Sequence, residues 1–105
     1  MPPLGAGGMM KVNDVIESIK LLKPELEEKF GIKQIAVFGS FARDEAIDNS
    51  DIDIAIVEMK RKNGFLVARA KRFISEKLGR EVDIGLYSAM NPYIKKCIQK
   101  DMIYV

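Results

Sequence analysis

Between residues 51 and 57 the chain reads Asp-Ile-Asp-Ile-Ala-Ile-Val, an alternation that a strand satisfies and a helix does not. A period of two puts Ile52, Ile54 and Ile56 on one face and Asp51, Asp53 and Ala55 on the other, whereas a helix would scatter the isoleucines around its circumference. One face must then meet a core while the other carries carboxylates. Gln34 to Phe38 (QIAVF), bounded by Gly31 and Gly39, reads as a buried strand. Glu81 to Leu86 (EVDIGL) alternates again, with Val82, Ile84 and Leu86 against Asp83 and Gly85.

Helical spacing fills the segments between. Asn13 is placed to cap an amphipathic run through Val15, Ile16, Ile19 and Leu22. Pro24 lacks the N–H an interior helical position needs, so a second helix is expected from Pro24 to Phe30, stopped by Gly31. Asn63 to Leu78 presents Leu66, Ala70, Phe73, Ile74 and Leu78 along one side and ends at Gly79. Asn91-Pro92 opens a last helix to Gln99, and Met102 to Val105 is read as a terminal strand. The expected order is α-α-β-β-α-β-α-β, an α/β (α+β) chain with one sheet backed by helices. The leader MPPLGAGG has neither charge nor periodicity. Residues 1–10 are expected to be a flexible leader, with Met9 or Met10 open as the true start.

Composition removes several kinds of chemistry. With 105 residues, 48% of them hydrophobic and 30% charged, the chain has the make-up of one soluble globular domain. No apolar stretch approaches the roughly 20 residues of a membrane helix, and no secretory leader is visible. Zero histidines and a single cysteine, Cys97, exclude a Cys/His zinc site, histidine-based acid–base catalysis and an internal disulfide. The cysteine usage suits a reducing, cytoplasmic setting. Any metal must be held by oxygen. A net charge of +2 is too balanced for a dedicated duplex-DNA binder, so direct nucleic-acid binding is not expected. The charge is nevertheless uneven. Residues 60–80 hold eight basic side chains against Glu76, a formal +7, which leaves −5 for the remainder. The expected default for that segment is a solvated helix face with an Arg72–Glu76 pair at i,i+4 spacing.

Aspartate is depleted in strands, yet Asp51, Asp53 and Asp83 all fall within strand patterns. Asp51 and Asp53 share a face about 6.5 Å apart by the strand rise, and Asp83 projects opposite its own apolar neighbours. Pairing of the two strands would gather three anions, whose repulsion calls for a cation. Oxygen-only ligands favour a hard ion such as Mg²⁺, which bridges to phosphates. A lone Asp-x-Asp is commonly a solvated pair, but here a strand end upstream carries Gly39-Ser40, with ten residues, 41 to 50, between Ser40 and Asp51. Such a turn lets backbone N–H groups and a hydroxyl approach a phosphate closely.

The run GSFARDEAIDNSDIDIAIV, with PELEEKFGIKQIAVFGS leading in and EVDIGL closing, resembles the signature of the DNA polymerase β-type nucleotidyltransferase superfamily. Length and lead-in are similar to its smallest branch, the minimal nucleotidyltransferases (MNT), over roughly residues 12 to 105. The resemblance implies a nucleotidyltransferase fold, a small mixed β-sheet backed by helices in a single domain over residues 11–105. It implies that Gly39 and Ser40 cradle the triphosphate of ATP, that Asp51 and Asp53 hold Mg²⁺ (two ions in all), and that Asp83 shares a metal and acts as base toward the acceptor hydroxyl. Arg43 matches the arginine of the family's GSxARG run, where it either contacts phosphate or pairs with a nearby aspartate. Asp44 departs from that run, where glycine is usual.

The branch is typically paired with a HEPN-domain toxin whose tyrosine it adenylylates. The resemblance therefore implies an antitoxin that transfers AMP from ATP, working in a hetero-oligomer or homo-oligomer. The alternatives from other classes are an antitoxin that acts by contact alone and an aminoglycoside-type small-molecule nucleotidyltransferase. Tyr87, Tyr93 and Tyr104 are expected at the core or its rim, and Cys97 as a small core residue between Ile94 and Ile98.

Overall fold

The computed structural model describes residues 11–43, 45–46 and 50–105. The leader and Asp44, both singled out above, lie outside the described residues. The chain runs α1 (Val12–Phe30), β1 (Ile32–Phe38), β2 (Ile52–Met59), α2 (Gly64–Leu78), β3 (Val82–Leu86), a 3₁₀ turn (Tyr87–Ala89), α3 (Pro92–Gln99) and β4 (Ile103–Tyr104).

One four-stranded sheet has the order β3-β2-β1-β4. β2 is antiparallel to β1 and parallel to β3, and β4 closes the far edge antiparallel to β1. This is the mixed sheet expected from the resemblance. The parallel pair requires a crossover, and α2 provides it. Ile35, Val37, Ile52, Ile54 and Ile56 are all at most 1% exposed and meet Val15, Ile19 and Leu26 of α1 and Ala70 and Ile74 of α2 in one core. Removing each isoleucine from water contributes about 2 kcal/mol. Both helices therefore lie on the isoleucine face, and the aspartates lie on the other.

One expectation fails at α1. The two helices foreseen on either side of Pro24 are a single helix, with Pro24 inside it and exposed. Its missing N–H and its clash with the carbonyl four residues back cost a helix interior roughly 3 kcal/mol. Val15, Ile19, Leu26 and Phe30 are buried on both sides of it, so burial of one continuous face outweighs that cost. The cap also moves: Lys11 is the N-cap, and its backbone N–H donates to Asp14 Oδ2 at 2.9 Å. At the far end Gly31 takes φ +70° and returns its N–H to Glu27 O at 2.9 Å. α2 follows the sequence signals closely, with Asn63 capping through Phe65 N and Gly79 in the left-handed region.

Cys97 is exposed rather than buried. None of α3 is buried, because α1 and α2 already cover the apolar face. Tyr93 and Tyr104 are likewise exposed, and Tyr87 lies at the rim with Lys95 Nζ 5.4 Å from its ring centroid. Among the described residues no helix is long and apolar enough to cross a membrane.

Candidate active site

The register of the sheet decides where the carboxylates meet. In the parallel β2–β3 ladder Asp53 stands directly opposite Asp83, flanked by the pairs Ile52–Val82 and Ile54–Ile84. Asp51 precedes β2 by one residue and is exposed, as is Asp83, while Asp53 is partly buried. On its other side Asp53 is opposite Phe38, the last residue of β1. The chain then leaves β1 through Gly39, so the Gly39-Ser40 turn and the Asp53–Asp83 pair occupy the same end of the sheet.

Gly39 is required there twice over. Its φ of +76° is in the left-handed region that glycine adopts without steric cost. A Cβ at this position would also sit 3.2 Å from the Cβ of Asp53 and closer still to its carboxylate. Beyond it the backbone makes one tight turn, with Arg43 N donating to Gly39 O at 3.1 Å and Glu45 N to Ser40 O at 2.8 Å. Phe41 is 1% exposed and pins the turn to the core.

Arg43 pairs with carboxylates: Nη1 donates to Asp101 Oδ2 at 2.8 Å and Nε to Glu45 Oε1 at 3.3 Å. Of the two roles left open for it, pairing with an aspartate is the one the geometry displays. Burial, and the negative charges of Asp83 and Asp51, push the Asp53 carboxyl above the ordinary carboxylate range, while the Arg43 charge pulls it back.

Asp51, Asp53 and Asp83 thus share a sheet end, but among the described residues no three carboxylates close into a ready metal-binding cluster. Their chemistry still fits a hard divalent cation: the donors are all oxygen, and the repulsion that raises Asp53 is what such a cation relieves.

Two residues at this site were not singled out from sequence. Arg80 lies just past α2; its guanidinium carbon is 5.2 Å from the Phe41 ring centroid and its Nε donates to Ser50 O at 3.3 Å. It therefore ties together the start and the end of the connection between β1 and β2. A helix stop at Gly79 immediately before it was the available signal that Arg80 leaves the solvated face. Asp101 is the other, the one acidic residue after Lys95, Lys96 and Lys100. Lys60, Arg61 and Lys62 precede α2, and the part of the basic segment on α2 keeps Arg69, Lys71, Arg72 and Lys77 exposed, with Arg72 Nε paired to Glu76 at 3.3 Å. That part lies across the sheet from the carboxylates and does not line the site.

Comparison with known proteins bears on the family and the fold. The family model described as a nucleotidyltransferase domain matches residues 19–105. A candidate protein adenylyltransferase of Methanocaldococcus jannaschii is 37% identical over 92% of this chain and 100% of its own length. Among solved structures, a candidate minimal nucleotidyltransferase superposes with a TM-score of 0.72 at 25% identity, covering 90% of this chain and 95% of the other. A toxin–antitoxin structure with AMP-PNP reaches 0.70 at 20% identity, over 87% and 71% of the two chains, a likeness of fold. On matched domain, full-length relative and shared architecture together, this chain belongs to the nucleotidyltransferase family, in its minimal branch.

Proposed function

We propose that this nucleotidyltransferase moves AMP from ATP onto a tyrosine hydroxyl of a HEPN-domain toxin, and so acts as its antitoxin. The observation that carries the reading is the Asp53–Asp83 pair set in register beside Gly39. Carboxylates that repel each other stand where a glycine lets phosphate come close. The protein-acceptor half rests on the adenylyltransferase name of the full-length relative. The toxin half draws on the toxin–antitoxin structure of the same fold.

In the transfer, the acceptor oxygen forms a bond to the α-phosphorus and the bond from that phosphorus to the β-bridging oxygen breaks. Pyrophosphate leaves with the bond electrons, and the hydroxyl proton passes to Asp83 as general base. Gly39 and Ser40 cradle the triphosphate through backbone N–H groups and a hydroxyl, and Arg43 offers it positive charge. Asp51, Asp53 and Asp83 would hold two Mg²⁺ ions, which when bound would offset the charge of the phosphates.

The rival reading, drawn from the toxin–antitoxin structure of the same fold, is an antitoxin that works by contact alone. Co-expression with the toxin separates the two. With Asp53→Asn the complex is expected to form and growth arrest to return. Full neutralisation by that variant would instead establish the contact mechanism.

A further inference from the structure

We propose that Asp101 is a positioning residue for nucleotide binding: it holds the Arg43 guanidinium at the mouth of the phosphate turn. The inference rests on the reading above that Arg43 faces the triphosphate.

Asp101 and Arg43 are 58 residues apart in sequence, and each is fixed by backbone to the same strand end. Arg43 N closes the turn onto Gly39 O at 3.1 Å. Asp101 N donates to Ile98 O at 2.9 Å, closing the chain as it leaves α3. Two residues later β4 joins β1 through the pairs Val37–Ile103 and Ala36–Tyr104, and Val105 N donates to Ile35 O at 3.0 Å. The carboxylate is therefore held alongside the point where the phosphate turn leaves the sheet.

A guanidinium has five N–H donors in a rigid fork. Asp101 takes one at 2.8 Å and Glu45 another at 3.3 Å, which leaves donors for a phosphate. Arg43 also acts on Asp53 through its charge, so one guanidinium lies within electrostatic reach of Asp53 and within bonding reach of Asp101. Arg43 is 45% exposed and Asp101 23%. Ion pairs at such exposure add little to folding stability. What this one does is restrict a long side chain that otherwise loses its rotamer freedom only when nucleotide arrives, a cost charged to binding.

The test is titration of AMP-PNP with Mg²⁺ by calorimetry, alongside melting temperatures. Asp101→Ala is expected to weaken binding about fivefold to tenfold with an unchanged melting temperature, and Asp101→Glu to restore most of the affinity. Arg43→Ala is expected to weaken binding at least as much, and adding Asp101→Ala to it to cost nothing further. Wild-type affinity in Asp101→Ala beside a weakened Arg43→Ala would overturn the role of Asp101 alone. Losses that multiply in the double variant would do the same, because a purely structural role adds independently. Wild-type affinity in Arg43→Ala would overturn the phosphate reading of Arg43, and with it this inference.

Discussion

A carboxylate that is partly buried beside two others loses solvation and gains repulsion, and at Asp53 both effects favour the protonated form. With the folded-state value raised above the unfolded one, the folded protein binds more protons between the two. Stability therefore falls as pH rises through that window and stays lower above it. Asp53→Asn removes the penalty: at neutral pH and without metal the variant is expected to melt about 1–3 °C higher, while losing transfer activity by about a hundredfold or more. Added Mg²⁺ is expected to raise the melting temperature of the wild type and leave that of the variant unmoved. A variant that melts lower in metal-free buffer would show that Asp53 is not strained. At Gly39, alanine combines a positive φ with a clash against Asp53. Gly39→Ala is expected to cost about 1–3 kcal/mol in urea unfolding, and AMP-PNP titration should show weaker binding.

These residues were legible because strand alternation is a local property: once Ile52, Ile54 and Ile56 face the core, Asp51 and Asp53 cannot. The facing of Asp53 and Asp83 was not legible in the same way. It depends on β2 and β3 being parallel neighbours in one particular register. Arg80 and Asp101 were missed because their partners are tertiary. Nothing local to Arg80 announces Phe41 and Ser50, and nothing near Asp101 announces Arg43.

Among the elements, α1 departs most from local expectation. Proline propensity argued for a break at Pro24, and the burial of Leu26 and Phe30 on the same face as Val15 and Ile19 overrode it. Pro24 is exposed, so replacing it restores a backbone hydrogen bond without disturbing the core. Pro24→Ala is expected to stabilise the protein by about 1–3 kcal/mol in chemical denaturation. Destabilisation would mean that the ring itself is part of the fit. Ile54→Ala, by contrast, empties a fully buried position shared by both helices and the sheet, with an expected loss of about 2–5 kcal/mol. The exposure of Cys97 follows from architecture: helical periodicity gave α3 an apolar face, but only the sheet topology reveals that α1 and α2 already occupy the core side.

At the scale of the whole molecule, the sheet separates two electrostatic surfaces. Its carboxylate face holds Asp53, Asp83 and, at the turn, Arg43, while the exposed basic residues of α2 lie beyond the isoleucine face. The α2 share of the +7 segment evident in the sequence is thus remote from the chemistry. On the proposed function, nucleotide charge would be met by local groups and the cation the carboxylates would hold. The most direct measurement is the intact mass of the HEPN-domain toxin after incubation with this protein, ATP and Mg²⁺. The expected result is a gain of one or more AMP units with the wild type and none with Asp53→Asn. An unchanged toxin mass in a stable complex with the wild type would contradict adenylyl transfer and leave binding alone as the means of neutralisation.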